Sequence, residues 1–355
     1  MSENKRLKIL VELMHGMGDT VCAIPMLAVL RQHFPQAELT VLTKFPLEND
    51  ILEASRVPID VIRSFNIYQS LRGSIAYLKA LRDYRFDYGI SSCITPVRKA
   101  KLFMKIVRPQ QVIGLQNNDV FFDSLDDKYH FVEANLHSIT DICSIPVPPM
   151  QPRIYPDERC LVDIRNRIGS ENLKRKIVGI CIGNADYSLK NRFLRTGKVY
   201  TRAWGIENMT KLIEALLQED VTIALIGGKG ELPLLDYVKA HVPANERMVD
   251  FVGKTSIKES IALASLCDCV FGVDTGMQHI ADAVGAKTVS VFGPTNPHTH
   301  GAYSKRAVFL IHQGECPHQF CYGTPYYTHC PKQRACLSAT SPIEALEAVM
   351  QQIAE

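Results

Sequence analysis

The residues best suited to chemistry lie in three short stretches. The first is the turn His15-Gly16-Met17-Gly18-Asp19-Thr20. Gly16 and Gly18 would let backbone approach a ligand closely. A carboxylate at Asp19 has the chemistry of a general base, provided it reaches the proton it removes. Alone, Asp19 reads equally well as the N-cap of the helix that follows. The second stretch is Gly272-Val273-Asp274-Thr275-Gly276-Met277-Gln278-His279. An Asp-Thr-Gly turn opening a helix offers backbone N–H groups and the positive helix end, which suits an anion. His279 lies about one turn into that helix, where it either points back at a phosphate or serves as a core or cap histidine. The third is Gly183-Asn184, then a basic loop with Lys190, Arg192, Arg195, Lys198 and Arg202, closing at the sole tryptophan, Trp204. A cationic loop suits a pyrophosphate. A solvated surface loop explains it as well.

Three familiar motifs are excluded. Position 21 is Val where the third glycine of a dinucleotide fingerprint belongs. Gly253-Lys254-Thr255 has Met248 in place of the first P-loop glycine. Asp-Thr-Gly in an aspartic protease needs β-structure and a partner carboxylate, and here it sits between strand and helix.

The elements that must hold these stretches follow from hydrophobic periodicity. Residues 7–13 predict a buried strand, 19–33 an amphipathic helix and 38–44 a second strand. That is a βαβ unit with parallel strands and a right-handed crossover. Pro25 is placed in the first turns of the helix, where a missing N–H is tolerated. Strands at 60–65, 87–93 and 111–115 alternate with helices near 70–84 and 97–107. Residues 145–156 carry five prolines, a natural linker. The pattern then restarts, with strands at 176–183, 221–228, 248–253, 269–274 and 287–293. Helices are predicted at 208–218, 232–241, 257–266 and 277–284, and a closing helix at 342–354. The prediction is α/β, with two doubly wound domains at 1–150 and 151–340. The last segment, 341–355, is a helix expected to return toward the N-terminal domain.

The chain has 355 residues, 46% hydrophobic and 22% charged, which fits two soluble domains rather than a disordered or fibrous chain. No run is long and apolar enough for a membrane span. The first residues carry neither a signal nor a transit pattern, so the expected location is the cytoplasm. A net charge of +3 gives no case for nucleic-acid binding. The charge is uneven, however: Arg72, Lys79, Arg82, Arg85, Arg98, Lys99, Lys101, Lys105 and Arg108 stand against only Asp83 and Asp87. Such a stretch is either a solvated helical face or a contact for an anionic partner or membrane surface.

Taken together, residues 15–44 and 271–297 resemble the heptosyltransferases of glycosyltransferase family 9, which include the ADP-heptose transferases of the lipopolysaccharide core. The resemblance implies a GT-B fold, two Rossmann-like domains facing a cleft, with inversion at the anomeric carbon and no metal in the chemistry. It implies that Asp19, in the Gly16–Gly18 turn on the acceptor side, is the base for the acceptor hydroxyl. It places Asp274, Thr275, Gly276 and His279 in the donor site, with Gly183 and Asn184 beside them. Arg202 falls where the family usually has the lysine of Lys-x-Trp, a diphosphate contact. Two departures concern the donor: Trp-Pro becomes Trp204-Gly205, and the earlier Pro-Gly becomes Ile182-Gly183. The implied partners are a nucleotide-sugar donor, ADP-heptose favoured, and a glycan or glycolipid acceptor at the inner membrane. A non-catalytic nucleotide-sugar binding protein and a GT-B hydrolase or epimerase are the alternatives.

Of eleven cysteines, Cys22, Cys93, Cys143, Cys160, Cys181, Cys267 and Cys269 lie in apolar stretches and read as small buried hydrophobes. Cys316, Cys321, Cys330 and Cys336 cluster, with His312, His318 and His329 among them. Four thiolates so close in sequence would make either a structural zinc or iron site or a set of free thiols. Related protein heptosyltransferases are similar in binding iron there. No catalytic role follows in either case.

Overall fold

A computed structural model describes residues 6–64, 71–115, 128–184, 202–312, 314 and 316–354. The chain divides into two compact units, Met1–Ile154 and Tyr155–Glu355, so the break falls in the predicted proline-rich linker.

In the first unit, β1 (Lys8–Leu13), β2 (Glu38–Thr43), β3 (Val61–Ser64), β4 (Tyr88–Ser91) and β5 (Gln111–Ile113) form one sheet of order β3-β2-β1-β4-β5. Every pairing is parallel. The crossovers include α1 (Met17–His33), α2 (Leu47–Ala54), α3 (Leu71–Asp83) and α4 (Val97–Val107), and α5 (Phe131–His137) packs on α1. Because α1 begins at Met17, Pro25 lies in its interior rather than in its first turns. An interior proline removes one helical hydrogen bond. Residues 20–27 are all buried, so tertiary packing offsets the loss.

The second unit opens with α6 (Glu158–Ile168), capped by Asp157, whose Oδ1 accepts from the Arg159 and Cys160 backbone. Cys160, on that helix, is only half-buried, unlike the other six scattered cysteines. Its sheet is built from β6 (Lys176–Cys181), β7 (Val221–Ile226), β8 (Met248–Asp250), β9 (Cys269–Val273), β10 (Lys287–Phe292) and β11 (Ala307–Ile311). The order is β11-β10-β9-β6-β7-β8, again all parallel. β11 is a sixth strand that periodicity passed over, since AVFLI is half-exposed at the sheet edge. The helices are α7 (Ile206–Leu216), α8 (Leu232–His241), α9 (Ile257–Leu266), α10 (Gly276–Val284), the short α11 (Pro297–His300), α12 (Pro325–Thr328) and α13 (Ala335–Ser338), and α14 (Pro342–Ala354). Within this unit α14 packs on α7, β9 and β10, with Ala345 and Val349 fully buried.

Both sheets reverse their winding direction once, between β1 and β4 in the first and between β6 and β9 in the second. Open α/β sheets bind ligands in the crevice at the carboxyl ends of those strands. The turns after β1, β6 and β9 hold the predicted site residues.

Candidate functional site

In the first unit the turn after β1 is fixed by a buried carboxylate. Glu12, 2% exposed, accepts from the Met14 backbone N–H at 2.9 Å, from Ser91 Oγ at 2.5 Å and from Thr95 Oγ1 at 2.8 Å. Ser91 ends β4 and Thr95 follows it, so Glu12 ties the two strands that flank the reversal. His15 Nε2 lies 2.6 Å from the same Thr95 Oγ1. The single hydroxyl proton of Thr95 goes to Glu12, so the bond to His15 uses a proton on Nε2.

Asp19 is the third residue of α1, and Gly16 is its N-cap. Asp19 Oδ2 accepts from the Gly16 N–H at 2.9 Å, the reach-back half of a capping box rather than an N-cap contact. Gly16 has an extended backbone, and a Cβ there would meet nothing closer than Asp19 Oδ2 at 3.5 Å. Its hydrogen atoms leave open space over the turn. The Asp19 charge is felt by two buried neighbours. Burial pushes the Glu48 carboxyl up to about 7; Asp19 adds to the rise, and the Phe45 N–H and Lys44 oppose it. Burial and then Asp19 push the Cys93 thiol well up. Asn135 holds the Cys93 segment, accepting from the Cys93 N–H at 3.2 Å.

In the second unit, β9 delivers Asp274 to the reversal point, where it is 8% exposed. Arg202 Nη1 donates to Asp274 Oδ2 at 3.1 Å. Burial alone would raise the Asp274 carboxyl; Arg202 and then His300 overcome it and hold the group below the usual carboxylate range. Thr275 is the N-cap of α10, with no side-chain cap bond. Its Oγ1 is buried with no partner among the described residues. Gly276 opens the helix, and His279 is its fourth residue, buried. Gly183 and Asn184 follow β6 on the other side of the reversal, and Asn184 is 3% exposed. The Arg202 segment is anchored by Trp204, whose Nε1 donates to the Thr340 carbonyl at 3.0 Å and whose ring packs edge-on against Phe271. Gly205 has φ +103°, a value proline cannot adopt, so the backbone explains the departure from Trp-Pro. Lys190, Arg192, Arg195 and Lys198 lie outside the described residues.

Within each unit, then, the predicted residues gather at a sheet reversal: Gly16, Gly18 and Asp19 in the first; Gly183, Asn184, Arg202, Asp274, Thr275, Gly276 and His279 in the second. Sequence reasoning missed Glu12, Thr95, Glu48 and His300. Glu12 did carry a signal, being a lone charge inside the apolar strand LVEL, where burial demands partners.

The cysteine cluster also assembles in part. Burial, followed by Cys316, Cys330 and Cys321, pushes the Cys336 thiol up to about 11. Arg334, 3% exposed, stands among them and donates its backbone N–H to Cys330 Sγ at 3.4 Å. His312 turns to Glu344 at 3.0 Å, and His318 stacks on Tyr326. Among the described residues no group of three or more such side chains is arranged to hold a metal ion.

Two wholly parallel, doubly wound sheets, each with its predicted residues at the reversal, are the fold class of the GT-B glycosyltransferases. Residues 78–328 match the model of glycosyltransferase family 9 (heptosyltransferase), and the chain belongs to that family. The lipooligosaccharide heptosyltransferase 2 of Haemophilus influenzae is 28% identical over 145 residues, 40% of this chain and only 38% of that relative. The lipooligosaccharide heptosyltransferase 2 of Campylobacter jejuni is 21% identical over 308 residues, 86% of this chain and 87% of the relative. The solved structure of Escherichia coli ADP-heptose LPS heptosyltransferase II has a TM-score of 0.72 at 18% identity, covering 98% of this chain and 99% of that one. At that identity the likeness speaks for the fold.

Proposed function

We propose that the chain transfers a heptose, or a similar sugar, from a nucleotide-diphosphate donor to a glycan or glycolipid acceptor of the lipopolysaccharide-core kind, with inversion. ADP-heptose is the favoured donor, in keeping with the ADP-heptose named for the solved E. coli relative. The observation that carries the reading is the Arg202–Asp274 pair beside the start of α10, at the reversal point of the second sheet.

In this reading the acceptor oxygen attacks the anomeric carbon while the bond to the diphosphate breaks. Asp19 takes the acceptor proton. The departing diphosphate gains negative charge, and fixed donors meet it: the Arg202 guanidinium, the Thr275 and Gly276 backbone N–H groups at the positive end of α10, and His279. Gly183 and Asn184 line the donor side, and Asp274 orients Arg202 and lies toward the sugar. No metal takes part in the transfer. In this reading the chain acts in the cytoplasm, where a nucleotide-sugar donor is supplied.

The test is calorimetric binding of ADP-heptose against UDP- and GDP-sugars, followed by product analysis with and without a core-type acceptor. Preferred binding of ADP-heptose and acceptor-dependent nucleotide release are expected. Release without acceptor would make the chain a hydrolase, and binding without release a nucleotide-sugar binding protein; either overturns the proposal.

A further inference from the structure

The first unit presents a face on α3 and α4 that carries none of the residues assigned to the transfer reaction. α3 and α4 pack on each other through Tyr77, Leu78 and Phe103, over Leu81 and Val107. Arg98, Lys99, Lys101 and Lys105 of α4 are all exposed. Among them stand two aliphatic side chains, Leu102 at 60% exposure and Ile106 at 38%. Positions 102 and 106 share one stripe of the helix, and Arg98 and Lys105 lie within a turn of Leu102. α3 repeats the arrangement: Ile75, also 60% exposed, has Arg72 and Lys79 a turn to either side. Asp83 is the sole acidic residue of either helix. Among the described residues none of these cations forms an ion pair.

Solvation alone accounts for the charges, since lysines and arginines are at home in water. It does not account for bare leucine and isoleucine at the crest of a helix whose polar residues are all of one sign. A soluble acidic glycan or an acidic protein surface would satisfy the cations and gain little from Leu102 and Ile106. The surface of an anionic bilayer takes both, phosphate headgroups against Lys and Arg, and aliphatic side chains at the boundary with the acyl chains.

We propose that the exposed face of α4, with the adjoining face of α3, docks the protein on an anionic lipid bilayer. Leu102 and Ile106 enter the headgroup layer, and the flanking basic residues pair with lipid phosphates. Docking would bring the first unit to an acceptor that is itself anchored in lipid. The inference does not rest on the transfer reaction, and its measurement reads no turnover.

The experiment is co-sedimentation of the full chain with vesicles of phosphatidylcholine alone, or with roughly 30% phosphatidylglycerol added to give an anionic surface. Binding to the anionic vesicles, at least tenfold stronger than to phosphatidylcholine and weakened by salt, is expected. Lys101→Ser with Lys105→Ser should weaken it roughly 25-fold, at about fivefold per basic side chain near such a surface. Leu102→Ser with Ile106→Ser should weaken it roughly tenfold or more through lost apolar burial. All four positions are exposed, so thermal melting should be unchanged. Failure to bind either vesicle, or equal binding to both, overturns the proposal. So does unchanged binding by the Leu102/Ile106 variant, which would mark a site for soluble polyanions.

Discussion

Arg202 Nη1 sits 3.1 Å from Asp274 Oδ2, and this pair holds a nearly buried carboxylate ionised at the reversal of the second sheet. Removing the guanidinium leaves that charge without its nearest compensation. Arg202→Ala should weaken nucleotide-sugar binding roughly 30- to 100-fold, the size of a lost charge-assisted contact. It should also lower thermal stability. Because the Asp274 carboxyl is depressed in the folded state, it contributes stability that is present at neutral pH and is lost on acidification through its folded value. The stability gap between wild type and variant should therefore narrow as pH falls. Arg202→Lys keeps the charge without the planar fork and should fall between the two. Equal donor affinity in all three proteins would remove Arg202 from the site.

Asp19 has two jobs that can be separated. Its Oδ2 accepts from Gly16 N–H, and on the proposed mechanism it removes the acceptor proton. Asparagine retains an oxygen for the cap and has no useful basicity. Asp19→Asn should keep the fold and near-normal donor binding, while turnover falls by roughly 10²–10⁴. Asp19→Ala should lose the cap as well and cost about 1 kcal/mol of stability. Turnover that survives in Asp19→Asn would assign the residue to helix capping alone.

Glu48 supplies a pH signature. Its folded value, about 7, lies above the unfolded carboxyl value near 4.5. Below the unfolded value the group is protonated in both states and its contribution to stability is fully present. As pH rises toward 7 the unfolded chain gives up the proton more readily, and the contribution is lost. Glu48→Gln cannot titrate. Its melting temperature relative to wild type should therefore climb between pH 5 and pH 8, measured by thermal denaturation in a pH series. A difference that stays flat across that range would show that Glu48 ionises normally.

The two sheets were legible in the sequence because parallel strands buried on both faces leave dense apolar runs such as VTIALI and LKILVEL. The turns were legible because ligand-binding crevices fall where such runs end. α2, α5 and α6 were missed: α2 and α5 are too short for a clear 3.6-residue period, and α6 begins at once after the proline-rich linker. β11 was missed because an edge strand alternates less sharply. The partners of Glu12, Ser91 at the end of β4 and Thr95 just after it, lie 79 and 83 residues away, and no local pattern encodes those contacts. The charge run at 72–108 was visible at once, but the exposure of Leu102 and Ile106 among those charges needed coordinates.

The cysteine cluster invites a direct measurement. Cys316, Cys321, Cys330 and Cys336 are close in sequence, Arg334 donates its backbone N–H to Cys330 Sγ, and no metal-type arrangement forms among the described residues. We expect purified protein to carry well under one zinc or iron per chain by elemental analysis. Melting should be unmoved by a chelator. One bound metal per chain, lost together with stability on chelation, would establish the structural site instead.

Gly272, two residues before Asp274, tests how tightly the donor turn is built. It faces Gln278 of α10 and Cys181 at the end of β6. A Cβ there would come within 2.7 Å of Gln278 Nε2 and 3.0 Å of Cys181 Cβ. Gln278 is 2% exposed, so its amide has little room to withdraw. Gly272→Ala should therefore cost about 1–3 kcal/mol, the usual penalty for overpacking, and should push α10 away from β9. Since Thr275 and Gly276 begin that helix, donor binding should weaken along with stability. Trimming the opposing side chain supplies the control: Gln278→Ala combined with Gly272→Ala should recover part of both losses, because the two residues share one space. Losses that simply add in the double variant would show that the glycine is not required by this contact.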